Sequence, residues 1–253
     1  MLMVLVMLLL GLVLGFVGAG GAGVVIAVLT VVFGIPIHTA LGTSLSAMVF
    51  TTMSGAYSHF REGNVVLKNG LAVGLFGAMG AFGGAHIAAL LPGHLLKGLT
   101  ACMLFLSAFF LGVRVSPYSK FFFAPGESKS MVVGVKFWLT ACGLGIVTGV
   151  LSGTFGIGAT PFIQIGLLML FSMSIYQSAG TTMLVILPIA LLGGVGYMTA
   201  GYLDMALLFK VTVGLMTGAY IGAKFTKRLP SVILKTAMVV VPIVGGLLLV
   251  FGS

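Results

Sequence analysis

Two stretches decide the fold: Gly15-Phe-Val-Gly-Ala-Gly-Gly-Ala-Gly23 and Gly153-Thr-Phe-Gly-Ile-Gly-Ala-Thr-Pro161. Each sits inside an apolar run too long for a single crossing of a bilayer. The runs cover residues 1–33 and 131–170. At 1.5 Å per residue the first would extend about 50 Å, against a hydrocarbon core of about 30 Å. Glycine at this density weakens a helix and permits a sharp reversal. Each long run is therefore expected to divide into two shorter helical pieces at its glycine cluster.

Six further apolar segments lie near 39–60, 66–91, 95–114, 177–199, 205–226 and 232–252, each close to the roughly 20 residues a span requires. The composition agrees. The chain of 253 residues is 60% hydrophobic and 6% charged, with a mean hydropathy of +1.28; an ordinary soluble domain is about 25% charged. So few charges exclude a soluble enzyme, a nucleic-acid binder and a disordered chain. The net charge of +9 comes from bases placed between apolar runs, which is an orientation signal of a membrane protein. Cys102 and Cys142 lie inside apolar segments, far from any Cys-x-x-Cys spacing, and read as small core hydrophobes. Residues 1–14 lack a basic leading region and read as a retained span.

The eight segments form two sets of four that match at one offset. Gly42-Thr43 aligns with Gly180-Thr181, 138 positions further on. The same offset pairs Gly15 with Gly153, Gly18 with Gly156, Gly20 with Gly158, Gly80-Ala81 with Gly218-Ala219, and Pro92 with Pro230. This is an internal repeat. The expected organisation is a transmembrane repeat over 1–114, a linker over 115–130, and a second transmembrane repeat over 131–253.

Positive charge decides the relative orientation of the halves. If each long run crosses once, the halves are parallel and Lys97, Lys224, Lys227, Arg228 and Lys235 fall outside. If each long run enters and leaves on one side, only Lys97 and Lys210 fall outside, and the other ten of the twelve bases face the cytoplasm. The second arrangement fits the positive-inside rule far better. The expected fold class is thus an all-α integral membrane protein of two inverted repeats, each of four hydrophobic segments with the first broken at its glycines. The linker lies on the cytoplasmic side and both termini outside.

Inverted repeats with discontinuous helices place their site near the bilayer midplane. Irregular backbone is tolerated there only when protein covers it or when it lines a cavity. Free N–H groups at such breaks, with the helix dipole behind them, make an anion site without a buried base. The acids support that sign: Glu62 and Glu127 fall in loops and Asp204 at a span edge, so no carboxylate marks a proton or sodium path. Gly18, Gly20, Gly21, Gly156 and Gly158 are the candidate backbone ligands. Thr43, Ser44, Thr160, Gln177, Thr181 and Thr182 are the candidate side-chain ligands, with Thr154 and Gln164 close in sequence. Each hydroxyl has an alternative role in helix packing or in bonding its own backbone. Gly80-x-x-x-Gly84 and Gly218-x-x-x-Gly222 read as packing pairs.

His38 and His94 are expected at interfaces. His59, with the neighbouring Arg61, and His86 are candidates for gating or a proton relay, against the simpler reading of satisfied imidazoles. No histidine pair has metal-ligand spacing, and no cofactor is expected.

The two glycine stretches, each followed by a small-residue helix start at Ala40-Leu41-Gly42-Thr43-Ser44 and Ala179-Gly180-Thr181-Thr182, resemble the sulfite exporter TauE/SafE family of membrane transporters. The turn Arg61-Glu62-Gly63-Asn64-Val65 is also similar to that family's short basic turn. The resemblance covers nearly the whole chain. It implies export of a small sulfur-containing anion, such as sulfite, sulfoacetate or a related organosulfonate, across the cytoplasmic membrane of a prokaryote.

The reading is therefore a secondary transporter that exports a small inorganic or organic anion by alternating access. Its partners are the anion and the lipid bilayer, with no nucleic acid and with the oligomeric state left open. An anion channel, or a carrier for another small anion, would share the site. A membrane-embedded hydrolase would need a base beside Ser152, yet all four histidines lie in the first half. A non-transporting scaffold would not require a duplicated polar break.

Overall fold

The computed structural model of the chain describes residues 2–17, 22–115, 134–226 and 231–252. The glycines of the first cluster at 18–21 and most of the linker, residues 116–133, lie outside the described residues. Every described element is helical: α1 Leu2–Val17, α2 Ala22–Val31, α3 Ile37–Arg61, α4 Leu67–Leu90, α5 Gly93–Val115, α6 Val135–Phe155, α7 Thr160–Leu170, α8 Ile175–Thr199, α9 Met205–Thr226 and α10 Ser231–Phe251. Five helices are long and apolar enough to cross a membrane, within α4, α5, α6, α8 and α9. Shorter apolar helices lie within α1, α2, α7 and α10. The protein is an integral membrane protein. α3 is 25 residues long, but eight serines and threonines lower its hydropathy. Those side chains are affordable because much of α3 is covered by its neighbours: Thr43, Ser44, Ser46 and Thr52 are all buried.

The start and stop signals are local. Gly63 and Gly201 take left-handed conformations just after α3 and α8, where a C-terminal glycine ends a helix without a Cβ clash. Ser174 caps α8: its Oγ accepts from the Gln177 N–H at 3.2 Å, and Gln177 Oε1 accepts from the Ser174 N–H at 3.3 Å. This reciprocal pair satisfies two orphan donors. Asp204 does the same for α9, its Oδ1 accepting from Ala206 and Leu207 N–H at 2.8 and 3.1 Å. The acid at the span edge is thus a helix cap.

Packing is backbone on backbone wherever glycines repeat. A methyl added to Gly80 would come 2.6 Å from the Ile146 carbonyl, and one on Gly84 2.5 Å from that of Val150. α4 and α6 therefore run parallel in close contact. One on Gly218 would meet the Leu8 carbonyl, and one on Gly222 the Leu12 carbonyl, so α9 and α1 run parallel in the same way. Here 218 stands to 80, and 8 to 146, at the offset of 138, with the partners shifting in opposite senses. The exchange recurs between α3 and α8. Gly42 lies against Tyr197 and the Tyr202 carbonyl, while Gly180 lies against His59 and the Asn64 carbonyl. Likewise Gly55 meets Met183, and Gly193 meets Leu45. Partners fall in number on one helix as they rise on the other, so α3 and α8 are antiparallel. Small residues at these crossings let backbones approach and gain dispersion contacts that lipid cannot replace.

Candidate substrate site at the helix break

α6 stops at Phe155 because Gly156 turns left-handed, with φ 65°, while its N–H still reaches the Ser152 carbonyl at 2.8 Å. Gly158 (φ 71°) and Ala159 (φ 45°) are also left-handed. For alanine this conformation costs about 1–2 kcal/mol, and such strain persists where the surroundings impose it. α7 then starts at Thr160, with Pro161 in its first turn, where a fixed φ suits the helix and the missing N–H is no loss. Residues 156–161 are all buried.

Several backbone groups of this break have no hydrogen-bond partner among the described residues. On the carbonyl side, Gly156 N–H takes the Ser152 oxygen. The hydroxyl of Tyr197, itself fully buried, donates to the Gly153 carbonyl at 2.8 Å and lies 3.4 Å from that of Thr154. On the donor side, the N–H groups of Ile157, Gly158 and Ala159 make no hydrogen bond to another described residue. Buried orphan N–H groups are rare in proteins. Successive N–H groups in left-handed turns form concave anion nests, and the positive end of the α7 dipole adds to the same field. Among the described residues the carbonyls of Phe155, Gly156, Ile157 and Gly158 are likewise without a hydrogen-bond donor.

The break runs along α3. Gly156 lies against Leu41, and Gly158 against the thioether of Met48, near the middle of the 25-residue helix. Ser44 lies between them on that face, its Oγ donating to the Ala22 carbonyl at the start of α2 at 3.2 Å. On α8, Ser178 Oγ donates to the Gln164 carbonyl of α7 at 2.7 Å, and Thr182, one turn on, donates to the Ser178 carbonyl at 2.7 Å. Ser44, Gly156 and Gly158 thus belong to the contacts of α3 with α2 and the break, while Thr160 opens α7 and Thr182 bonds within α8.

The remaining candidates stand elsewhere. Gln177 is exposed in the α8 cap. Thr181 Oγ1 accepts from the Val66 N–H at 3.0 Å, tying α8 to the start of α4. Thr43 is fully buried without a partner for its hydroxyl. Gly18, Gly20 and Gly21 lie outside the described residues. His59 has its Nδ1 3.8 Å from Glu62 Oε2, and Arg61 is exposed at the end of α3. His86 is exposed on α4, its Nδ1 3.0 Å from the Phe82 carbonyl. None of these three is recorded against the break. A cleft of about 180 Å³ between α3, α8 and α9, lined by Ser46, Phe50, Leu191 and Leu208 among others, lies on a different face of α3.

Tyr197 and Ser178 are the residues that sequence reasoning missed. The repeat offset carries a signal for the first, since it pairs Tyr197 with His59. Tyr197→Phe keeps the ring against Gly42 and removes the hydroxyl from the α6 carbonyls. We expect a stability loss of about 1 kcal/mol in thermal unfolding.

The described helices form a bundle of apolar spans with a buried helix break, the build of an integral membrane protein. Comparison with known proteins gives the particular kind. A family model described as Sulfite exporter TauE/SafE matches residues 3–249. The chain is 55% identical over 251 residues to probable membrane transporter protein YdhB of Bacillus subtilis (strain 168), spanning 99% of this chain and 100% of that protein. It is 28% identical over 229 residues to probable membrane transporter protein ORF9 of Sinorhizobium sp., covering 89% and 83% of the two chains. Probable membrane transporter protein YjnA of Bacillus subtilis (strain 168) is 28% identical over 253 residues, covering 98% of each. No solved structure matches. The protein belongs to the TauE/SafE sulfite exporter family.

Proposed function

We propose that the protein exports a small sulfur-containing anion, sulfite or an organosulfonate, across the cytoplasmic membrane by alternating access between two inverted repeats. The observation that supports this reading is the set of N–H groups at Ile157, Gly158 and Ala159 that have no partner among the described residues, while the Ser152 and Gly153 carbonyls at the end of α6 are taken by Gly156 and Tyr197. Preorganised N–H dipoles hold an anion. Ser44, Thr160 and Thr182 supply further hydroxyls, with Gly18–Gly21 as the matching break of the first half.

The inverted reading rests on α3 and α8. They occupy the same place in the two repeats, run antiparallel and exchange contacts at one offset. An axis that interchanges two antiparallel spans lies in the membrane plane. The two ends of this arrangement differ. Val66 N–H bonds Thr181 at one end, whereas the repeat equivalents, Asp204 and Thr43, leave the Thr43 hydroxyl unpartnered at the other. With the linker inside, the inside-negative potential drives anion exit by about 2.3 kcal/mol per charge per 100 mV, and no carboxylate relay is needed.

The test is counterflow. Purified protein in proteoliposomes is expected to move sulfite or methanesulfonate with saturation, and internal unlabelled anion is expected to accelerate uptake of labelled anion. Linear flux without counterflow would make the protein a channel. No flux of any anion above protein-free vesicles would leave a scaffold and end the transport reading.

A further inference from the structure

α4 and α6 run parallel, so both begin at the same end of the bundle, and each carries a lysine as its second residue: Lys68 and Lys136. Both lysines are exposed. Lys68 Nζ stands 4.8 Å over the ring of Phe137, the neighbour of Lys136 in the chain. That ring is buried and meets Trp138 and Phe171 edge-on, each at 5.6 Å, so the platform under the Lys68 ammonium is fixed. A cation over an aromatic face is oriented without using its N–H donors. Among the described residues neither ammonium has a carboxylate or hydrogen-bond partner. The first turn of a helix favours an acid, yet neither helix has one there, nor a side-chain cap.

The chain has little negative charge to offer these lysines. It holds three acids against twelve bases. Asp204 caps α9 at the opposite end of the bundle. Glu62 accepts from Asn64 Nδ2 at 3.1 Å and lies 3.8 Å from His59 Nδ1. Glu127, outside the described residues, is the one carboxylate left for all remaining bases. The surface beside the lysines is apolar instead. Leu67, Leu71 and Leu75 on α4 and Val135, Trp138 and Leu139 on α6 are all exposed. Such faces meet acyl chains, and tryptophan sits at the level of the lipid headgroups. Two oriented cations above an apolar wall match the two parts of an acidic phospholipid, a phosphate and its chains.

We propose that the start of the α4–α6 pair is a docking site for an acidic phospholipid, its phosphate held by Lys68 and Lys136 and its acyl chains laid along the exposed faces of the two helices. The headgroup supplies the negative charge that both helix starts lack. The site is independent of any transported anion and stands apart from the helix break at the other end of α6. Trp138, the one tryptophan of the chain, lies in it and reports on it.

The experiment places the full chain in mixed vesicles of phosphatidylcholine and phosphatidylglycerol, with one lipid or the other brominated in its acyl chains to quench Trp138 fluorescence. Brominated phosphatidylglycerol is expected to quench at a much lower mole fraction than brominated phosphatidylcholine. The double variant Lys68→Gln, Lys136→Gln is expected to lose about thirtyfold of that preference. Lys210→Gln, which removes an exposed base from α9, and Glu127→Gln are expected to keep it. In the unmodified chain, raising salt from about 0.05 to about 0.5 M is expected to weaken the preference as well, a reading that requires no variant to fold. Inorganic phosphate is expected not to displace the brominated lipid. Equal quenching by the two brominated lipids, or an undiminished preference in the double variant, would overturn the proposal. So would displacement by inorganic phosphate, which would mark a site for soluble anions, or a preference that emerges only in Glu127→Gln, which would show the linker acid already in place.

Discussion

Gly149→Ala is expected to destabilise the protein by about 3 kcal/mol, the upper end of the ordinary cost of overpacking. Gly143→Ala, on the same helix, is expected to stabilise it by about 0.5–1 kcal/mol. The contrast isolates one cause. A methyl on Gly143 meets nothing within 4 Å, while one on Gly149 would run into the Gly77 carbonyl and Cα of α4. Neither neighbour is a side chain that could rotate away, so α4 and α6 must separate along their length. Gly145 and Gly153 make the same kind of contact with Val73 and Ala81, so separation at one point loosens the others. Gly218→Ala, against Leu8 on the other parallel pair, should behave like Gly149→Ala. Thermal unfolding in detergent reads all three. Equal midpoints for Gly143→Ala and Gly149→Ala would mean that the helices do not pack through these glycines.

Much of the fold was legible because lipid imposes length and glycine marks exceptions to it. The run 131–170 is too long for one span, and its division at Gly156–Ala159 follows from the left-handed turns that only glycine adopts cheaply. Element ends came out close to expectation, as with α3 at Ile37–Arg61 against an expected 39–60. The site was less legible for a geometric reason. Thr43 and Ser44 are adjacent in sequence, but adjacent helical residues point about 100° apart, so only Ser44 shares the face of Leu41 and Met48. The same holds for Thr181, which ties down the Val66 N–H, and Thr182, which stays with Ser178. A polar pair in a sequence does not say which member faces the break. Gln177 could have been read correctly, because Ser174-x-x-Gln177 is the spacing of a capping box. Tyr197 was marked only by its pairing with His59 at the repeat offset, since its contact depends on where the carbonyl end of a different helix arrives.

The second large effect separates the break from its conformation. Gly158→Ala is expected to cut anion flux at least about tenfold, with a loss of stability of only about 1–2 kcal/mol. Gly201→Ala is expected to show the same loss of stability with flux unchanged. Both glycines are left-handed, with φ of 71° and 80°, so both substitutions meet the same backbone strain. Their surroundings differ. Gly201 has open space around its Cα, whereas a methyl on Gly158 would press on the Met48 thioether and stand 3.7 Å from Thr160 Oγ1. Met48 is flexible and can yield, so the fold survives. On the proposed reading, the N–H donors on either side of Gly158 cannot yield in the same way, because an anion site depends on their direction. Relaxing the strained turn by even a fraction of an ångström turns these N–H dipoles, and an anion site that depends on their direction is lost before packing is. Flux normalised to folded protein, measured for both variants in the same vesicles, gives the answer. Equal flux in Gly158→Ala and Gly201→Ala would show that the break turns the chain and does not hold the anion.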